Sequence, residues 1–353
     1  MEYPAHHLLF IGTYTKAGSR GIYAARLDGA SGALSAPELA VETGSPTFLA
    51  FSPGEENLYA VQNSPAIAAA FAVDAAQGRL TPLAPPDPVE ATAPCHVAVD
   101  RTGRVLLATN FHTGIVAAMP ILPGGGLGAP RALHHQGHSV HPKRQATAHP
   151  HSSTISPDNR FALVCDLGLD RIYTYGIDLE RAALDPAEPA FVSVAPGSGP
   201  RHFTFGPDGR RAYVITEIAS TIVACAYDPD NGSLAPFQTI STLPPGFSGE
   251  SSAAEIRLHP NGRFLYGSNR GHDSIACFSL DPSTGALTPV ETVPCGGRAP
   301  RHFAFSPDGN WLVCAHQDSN TLCSFRVAPA TGRLTPTGST IAVSMPVCVL
   351  FYS

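Results

Sequence analysis

Residues 300–309 read PRHFAFSPDG, an apolar strand that begins at a proline and ends in a tight turn. The same pattern recurs along the chain, with starts at Pro46, Pro94, Pro150, Pro200, Ala253, Pro300 and Pro346, separated by 46 to 56 residues. A repeat of this length, filled with short β-type segments and without a long helical pattern, indicates one four-stranded propeller blade per repeat. The sequence therefore predicts an all-β fold, a seven-bladed β-propeller.

The last full repeat shows how four strands fit into one period. Strands are predicted at Pro300 to Phe305, Trp311 to Ala315 and Thr321 to Val327, and a fourth begins near Leu334. The Pro-Asp-Gly turn at 307–309 and the later Thr-Gly pair supply glycines that tolerate positive φ, which suits tight antiparallel connections.

The two ends of the chain complement each other. Residues 8–14 match the second strand of a repeat and residues 21–28 match the third, so the first blade lacks its inner strand. We expect Pro346 to Phe351 to supply that strand and to pair with Leu8 to Thr13, which removes two exposed sheet edges. Residues 1–353 are accordingly predicted to form a single propeller domain, completed by the C-terminal strand.

Composition narrows the class of partner and the compartment. Only 14% of residues are charged, 33 are Gly and 34 are Pro, and the net charge of −6 comes without a basic face, which argues against nucleic acid as a partner. Eight cysteines without a Cys-x-x-Cys pair indicate reduced thiols. The first strand is reached by Leu8, and no apolar run is long enough for a membrane span. These features predict a cytoplasmic protein without a membrane partner.

Polar residues recur at two positions of the repeat that a propeller brings together. The first strand of each blade lines the central channel, and the loops between second and third strands surround one opening of it, the channel mouth. At the end of the second strand the repeats carry Gln62, Asn110, Asp166, Thr216, Asn269 and His316, and Glu217 and Arg270 stand one position further on. Directly after the proline of the inner strand they carry Cys95, His151, Arg201 and Arg301. We expect the charged and histidine side chains of this set to face one mouth, and His151, Arg201, Glu217 and Arg270 to face solvent in the channel.

Three arginines at one channel mouth need negative charge nearby to balance their mutual repulsion. Arg201, Arg270 and Arg301 would repel one another unless an anionic ligand or nearby carboxylates relieve the charge, and guanidinium groups match carboxylate and phosphate oxygens. Salt bridges with Glu217 and Asp166 are the structural alternative. The sequence predicts a small anionic substrate, with binding residues Arg301, Asn110, Asp166, Asn269, His316 and Gln62. An Asn or Asp at a strand end also commonly serves only to satisfy turn amides.

Six of the 15 histidines lie between His134 and His151, in the longest repeat. Their spacing matches no compact zinc pattern, so we expect a mobile, solvated loop over the channel mouth. Calcium at Asp166 and Glu217 is disfavoured because three guanidiniums would compete for the same carboxylates. The prediction is that the protein needs no metal and no other cofactor.

Several motifs together resemble one family. They are GTYT at 12–15, HPHS at 149–152, GPRH at 199–202, SNRGHDSI at 268–275 and the turns of the Ser-Pro-Asp-Gly type. Over nearly the whole chain they resemble the seven-bladed propeller lactonases, a family that includes bacterial 6-phosphogluconolactonases and fungal 3-carboxy-cis,cis-muconate lactonizing enzymes. The resemblance implies an active site of a histidine, two arginines and a glutamate, and these match His151, Arg201, Glu217 and Arg270.

Lactone hydrolysis assigns roles to these residues. Arg201 or Arg270 would stabilise the oxyanion while the other, with Arg301, binds the substrate's carboxylate or phosphate. His151 or Glu217 would act as the general base. The predicted function is hydrolysis of a sugar lactone, of the 6-phosphogluconolactonase type. A cycloisomerase acting on 3-carboxy-cis,cis-muconate and a non-catalytic propeller that binds a small anion or a protein are the alternatives.

Overall fold

The computed structural model describes residues 5–62, 68–84 and 94–353. In chain order the first strands are β1 (His6–Thr13), β2 (Gly21–Asp28), β3 (Glu38–Glu42), β4 (Leu49–Phe51), β5 (Asn57–Val61), β6 (Ala68–Asp74), β7 (Arg79–Pro82), β8 (Pro94–Val99), β9 (Val105–Asn110), β10 (Ile115–Pro120) and β11 (Arg131–His134). They are followed by β12 (Pro150–Ile155), β13 (Phe161–Asp166), β14 (Arg171–Asp178), β15 (Ala183–Ser193), β16 (Pro200–Phe205), β17 (Arg211–Thr216), β18 (Thr221–Tyr227) and β19 (Leu234–Ser241). The last are β20 (Ser252–Leu258), β21 (Phe264–Arg270), β22 (Ser274–Leu280), β23 (Leu287–Pro294), β24 (Pro300–Phe305), β25 (Trp311–His316), β26 (Thr321–Val327), β27 (Leu334–Ala342) and β28 (Pro346–Phe351).

Within the described residues these strands form seven four-stranded sheets. Six sheets each contain four consecutive strands, from β4–β7 to β24–β27, and the seventh has the order β28-β1-β2-β3. One sheet per repeat is the blade pattern of a propeller, and the predicted fold class, an all-β seven-bladed β-propeller, is confirmed.

The C-terminal strand completes the first blade, as predicted. Strand β28 pairs antiparallel with β1, with Leu9 opposite Phe351 and Thr13 opposite Pro346. The register shifts between Gly12 and Thr13. A Cβ atom on Gly12 would lie 2.4 Å from the carbonyl oxygen of Pro46, so this close approach requires glycine.

The predicted strand starts agree with the structure at most repeats. Five inner strands, β8, β12, β16, β24 and β28, begin at the proline, and β20 begins one residue before Ala253. Strand β4 differs, because it begins at Leu49, three residues after Pro46. The third strand of the last full repeat, Thr321–Val327, has the predicted bounds.

The chain divides into two compact units. The first comprises residues 1–49, 73–81 and 242–353, and the second comprises residues 50–72 and 82–241. The prediction that residues 1–353 form one domain stays a prediction.

Strand β13 contributes its alternating residues to two core clusters of the second unit, one on each of its faces. Leu163 and Cys165 pack with Phe203 of β16 and Val214 of β17, whereas Val164, on the opposite face, belongs to the cluster of the preceding sheet. Because successive strand residues point to opposite faces, a strand covered on both sides is apolar along most of its length, as residues 161–165 are.

The Ser-Pro-Asp-Gly turn at residues 306–309 is held by its own side chains. The Ser306 hydroxyl donates to Asp308 Oδ1 at 2.5 Å and accepts from the Trp311 N–H at 3.0 Å, and Gly309 at φ 70° donates its N–H to the Ser306 carbonyl. Burial alone would raise the pKa of Asp308, but hydrogen bonds from Ser306 and Asn310 outweigh it, so the pKa lies below its usual value. The turn therefore tolerates a buried carboxylate.

Two further features concern the predicted compartment. All eight cysteines are free thiols, as predicted, and Cys165, Cys277, Cys314, Cys323 and Cys348 lie in strands. In the part of the chain that the structure describes, no helix is long and apolar enough to cross a membrane.

Candidate active site

Arg201 occupies a β-bulge at the start of strand β16. Pro200 pairs with Thr216 and His202 with Ile215, so Arg201 between them has no partner residue in the ladder. His151 of β12 and Arg301 of β24 stand in the same kind of register shift. Because a bulge turns a side chain away from the regular alternation, the position after the proline is suited to presenting a functional group.

The Arg201 guanidinium is held by two neighbours in the second unit. Its Nε donates to Glu217 Oε2 at 2.8 Å, and its Nη1 lies 3.2 Å from His202 Nε2. The side chains of Arg201 and Glu217 are 2% and 7% exposed. The carboxylate follows strand β17 directly, so the pair links two neighbouring strands of one blade.

Glu217 has a second cationic partner that sequence reasoning missed. Arg144 Nη2 donates to Glu217 Oε1, the oxygen that Arg201 Nε does not use. The Arg144 side chain is 40% exposed. One carboxylate thus accepts hydrogen bonds from two guanidiniums, which leaves a surplus of one positive charge in this group of three.

His151 lies in the same group of side chains. Its ring stands edge-on to that of His202, with centroids 5.2 Å apart, and edge-on to Phe111 at 5.7 Å. His202 in turn contacts Arg201. His149 stacks flat on Phe111 at 4.3 Å, and its Nδ1 donates to the Phe111 carbonyl. The two neighbouring histidines therefore contact the same phenyl ring in different geometries, His149 stacked and His151 edge-on.

His151, Arg201 and Glu217 are buried, with exposed fractions of 4%, 2% and 5%. The expectation that these side chains face solvent is wrong for all three. A buried ion pair must be satisfied internally, because desolvation of an unpaired charge costs several kcal/mol, roughly 3–5 when one partner is removed. The salt-bridge alternative considered for Arg201 is therefore present in the structure.

Arg144 lies on a segment that we call the histidine loop, residues 135–149. Asp166 fixes both of its ends: Oδ2 accepts from His135 Nδ1 at 2.7 Å, and Oδ1 accepts from the His149 N–H at 2.8 Å. His135 Nε2 also contacts the Tyr175 hydroxyl at 2.7 Å, and burial raises the pKa of that phenol. The expectation of a solvated loop is wrong at His135, which is buried.

The middle of the histidine loop is fixed on the turn after strand β13. Gln145 is fully buried, and its Nε2 donates to the Leu167 carbonyl at 2.8 Å. The Ser139 hydroxyl donates to Asp170 Oδ2 at 2.6 Å. These bonds set the backbone position from which Arg144 reaches Glu217.

The predicted strand-end residues are engaged with the protein itself. Asn110 Oδ1 accepts from the N–H groups of His112 and Thr113, both at 3.1 Å. Asn269 Nδ2 donates to the Thr242 carbonyl at 2.9 Å, its Oδ1 accepts from the Thr242 hydroxyl, and Asp166 holds the histidine loop.

His316 and Gln62 complete this set. His316 Nε2 donates to the Cys295 carbonyl at 2.8 Å. Gln62 follows strand β5 and is half-buried. These contacts are what a structural role requires, and the role of all five strand-end residues in substrate binding stays a prediction.

Arg270 and Arg301 belong to the first unit. Arg270 donates to the carbonyls of Ser252 and Ala253, at 3.3 and 2.9 Å. Arg301 Nη1 lies 3.4 Å from Gln317 Oε1, and its guanidinium lies 5.7 Å from the centroid of the Tyr14 ring. Their predicted roles, in catalysis for Arg270 and in substrate binding for Arg301, stay predictions.

His, Cys, Asp and Glu side chains are spread over the described part of the chain. Among those residues no group of three or more His, Cys, Asp or Glu side chains could hold a metal ion.

Comparison with known proteins places this arrangement in a family. The model of the family described as lactonase, 7-bladed beta-propeller, matches residues 8–351. This chain belongs to the seven-bladed β-propeller lactonases. It is 38% identical over 345 residues to a 6-phosphogluconolactonase of Bacillus subtilis strain 168, covering 97% of both chains. It is also 32% identical over 271 residues to a 6-phosphogluconolactonase of Formosa agariphila, covering 73% of this chain and 74% of the relative.

A solved structure shows the same fold at full length. The lactonase superposes on the periplasmic gluconolactonase PpgL of Pseudomonas aeruginosa with a TM-score of 0.94 and 34% identity, covering 99% of both chains. The names of these relatives agree on a sugar lactone and differ in whether it is phosphorylated.

Proposed function

We propose that this lactonase hydrolyses 6-phosphogluconolactone, with Arg201, Glu217 and His151 as its reacting group. The observation that carries the proposal is the buried Arg201–Glu217 pair, joined to His151 through the ring of His202. A fixed guanidinium is what an ester carbonyl under attack by water requires. The relatives named 6-phosphogluconolactonase support the sugar lactone as the substrate class.

Arg201 is proposed to stabilise the oxyanion. When water attacks the lactone carbonyl, the carbonyl oxygen takes up negative charge, and a positioned donor lowers the energy of that state. Removal of one such donor in other enzymes costs about 3 kcal/mol, roughly a hundredfold or more in turnover. Glu217 and His202 hold the guanidinium in one orientation, so little reorganisation is needed when the charge develops.

His151 is proposed as the general base. Glu217 accepts from two guanidiniums, which stabilise its charged form and commit its oxygens to holding Arg201 and Arg144. An imidazole can take a proton from water and later return it. The water oxygen bonds to the carbonyl carbon and gives its proton to His151. The ring C–O bond then breaks, and the imidazolium protonates the departing alkoxide.

Arg270 enters the proposal through the family resemblance, and Arg301 enters it through its position in the repeat. Arg270 matches the second arginine of the family's active site, and Arg301 occupies the bulge position of β24 that Arg201 occupies in β16. We assign Arg270 to the reacting group and Arg301 to binding of the substrate's anionic group.

A cytoplasmic location and a partner set limited to the small anionic substrate complete the proposal. Eight unbridged cysteines are typical of a reducing compartment. The Pseudomonas aeruginosa relative is periplasmic, so fractionation of cells that express this chain is the appropriate check.

The test is a substrate panel assayed with the purified protein. It contains 6-phosphogluconolactone, unphosphorylated glucono-δ-lactone and 3-carboxy-cis,cis-muconate. The proposal expects the highest kcat/KM with the phosphorylated lactone. Conversion of the muconate alone would favour the cycloisomerase, and absence of turnover with all three, in folded protein, would favour a binding protein.

A further inference from the structure

Arg144 differs from Arg201 in how it reaches the shared carboxylate. Arg201 is 2% exposed and contacts both Glu217 and His202, whereas the Arg144 side chain is 40% exposed and reaches Glu217 from the histidine loop. Of the two guanidiniums on Glu217, the one of Arg144 is therefore the one that a ligand arriving from solvent meets.

The charge balance allows Arg144 to leave without exposing an unpaired carboxylate. With Arg144 bound, one carboxylate faces two guanidiniums. When Arg144 departs, Glu217 keeps the 2.8 Å bond from Arg201 Nε, and the buried pair is neutral. The large cost of removing a partner from a buried ion pair is thus avoided.

The backbone of Arg144 stays in place during such an exchange. Its N–H donates to His141 Nδ1 at 3.2 Å, and the Gln145 N–H donates to the His141 carbonyl at 2.9 Å. Gln145 is in turn fixed to Leu167. A held backbone with a long, half-exposed side chain is a geometry in which the side chain alone can change partner.

A phosphate monoester is the anion that suits this group. It carries close to two negative charges at neutral pH and offers three acceptor oxygens, and a guanidinium can donate to two of them at once. The neighbouring Lys143 lies on the same turn with an exposed side chain, outside the ion-paired group, so it provides a reference for a surface charge. With only two lysines in the chain, arginine is the natural phosphate ligand.

We propose that Arg144 is the specificity residue for the phosphate of the substrate: it releases Glu217 when the phosphorylated lactone binds and donates to the phosphate instead. This inference rests on the proposed hydrolysis of 6-phosphogluconolactone and names the residue that distinguishes it from the unphosphorylated lactone.

The first experiment compares Arg144→Gln with the matched control Lys143→Gln. Both remove one positive charge from the same turn, and kcat and KM are measured on 6-phosphogluconolactone and on glucono-δ-lactone. Loss of a charge-assisted hydrogen bond to phosphate should lower the ratio of the two kcat/KM values by about tenfold or more in Arg144→Gln, mainly through KM. The control should change the ratio by less than about threefold, as expected of an exposed charge. Circular dichroism and thermal unfolding establish that both variants are folded.

A purely structural role for Arg144 would change the kinetic constants in a different way. If Arg144 only supports Glu217, Arg144→Gln will lower kcat on both lactones by the same factor and leave the ratio unchanged, which overturns the proposal. An equal change of the ratio in Lys143→Gln would also overturn it, since the effect would then be general electrostatics.

A binding measurement separates this proposal from the proposed function. Calorimetric titration with 6-phosphogluconate, the expected product, needs no turnover. If the parent hydrolyses neither lactone, the proposed function fails. The specificity role of Arg144 then stands only if the parent binds 6-phosphogluconate and Arg144→Gln binds it about tenfold or more weakly. It falls if the two proteins bind alike or if the parent does not bind.

Discussion

Two inner strands carry almost the same sequence and different chemistry. Strand β16 reads PRHFTF and strand β24 reads PRHFAF, identical at five of six positions. Both begin at a proline, and both have a register shift that leaves the arginine in a bulge. Sixteen residues after the arginine, however, one repeat has Glu217 and the other has Gln317.

The two arginines differ in their partners in the same way. Arg201 is 2% exposed and bonded to the Glu217 carboxylate at 2.8 Å. Arg301 is half-buried and lies 3.4 Å from the Gln317 amide oxygen. The motif places a guanidinium, and the residue at the end of the neighbouring strand decides whether it becomes part of a buried ion pair. The repeated motif therefore determines where the arginine lies, and the residue after the neighbouring strand determines whether the arginine forms an ion pair.

The substitution Glu217→Gln, which gives the first repeat the glutamine of the second, should have the largest effect on activity. In Glu217→Gln the carboxylate charge that orients Arg201 is lost while the side-chain volume is kept. We expect turnover on 6-phosphogluconolactone to fall by about a hundredfold or more, the size typical of a disturbed oxyanion donor, with the fold intact by circular dichroism.

The reverse exchange is the matched control. Gln317→Glu gives the second strand the ion-pairing residue of the first, without touching Arg201. It should leave kcat nearly unchanged. Near-normal turnover in both Glu217→Gln and Arg201→Lys would remove the reacting group from β16 and favour the binding-protein alternative.

The repeat pattern predicted much of this comparison from the sequence. The inner strands, the chain-closing strand β28 and the position after the proline all follow from periodicity, because each blade repeats the same alternation and turn chemistry. The bulge explains why that position presents functional groups. The sequence alone is therefore sufficient to select His151, Arg201 and Arg301 as candidates.

What the repeats do not share could not be predicted. Arg144 has no counterpart at a fixed offset, because the histidine loop occurs only in the longest repeat. The only signal was its charge in an insertion, which cannot show that it reaches Glu217. Asp166 is the opposite case, since its offset suggested a substrate ligand whereas its contacts hold His135 and His149. Burial of the ion pair likewise depends on packing between strands, which a linear pattern does not report.

Stability provides a second way to separate the two strands. Arg201→Ala removes the guanidinium that lies 2.8 Å from the buried Glu217 carboxylate, while the half-exposed Arg144 remains beside it. We expect the free energy of unfolding to fall by about 3 kcal/mol, the low end for a broken buried pair. Arg301→Ala breaks no ion pair to a carboxylate and should cost about 1 kcal/mol or less. Urea unfolding of both variants measures the difference, and equal losses would mean that burial of the Arg201 pair has no energetic consequence.

Arg301→Ala should change the KM for the substrate more than it changes stability. Because Arg301 is assigned to substrate binding, we expect this substitution to raise KM by about tenfold and to alter kcat by less than about threefold. Such a pattern is typical of a contact that is equal in the ground state and the transition state. A loss in kcat with unchanged KM would instead move Arg301 into the reacting group together with Arg270.

The smallest expected effect concerns the residues that end the neighbouring strands, Thr216 in one blade and His316 in the other. The Thr216 hydroxyl contacts that of Thr221 at 2.7 Å, and His316 Nδ1 lies 3.3 Å from the hydroxyl of Thr321. Burial lowers the pKa of His316, because desolvation opposes the imidazolium more than the bonds to Cys295 and Thr321 favour it.

The sign of the resulting pH dependence follows from proton uptake. Below about pH 6.5 the unfolded histidine binds a proton that the folded His316 does not bind, so the free energy of unfolding falls as the pH is lowered. The fall is at most about 1.4 kcal/mol per pH unit and stops once the pH is below the folded-state pKa.

His316→Thr, which copies the Thr216 arrangement, should flatten the stability profile on the acid side of neutrality, although it also loses the bond to Cys295. Unfolding curves of parent and variant at closely spaced pH values give the slope of the free energy of unfolding against pH for each protein. Since all other histidines are common to both proteins, the difference between the two slopes reports on His316. Parallel slopes would show that His316 takes up its proton in the folded protein as readily as in the unfolded chain.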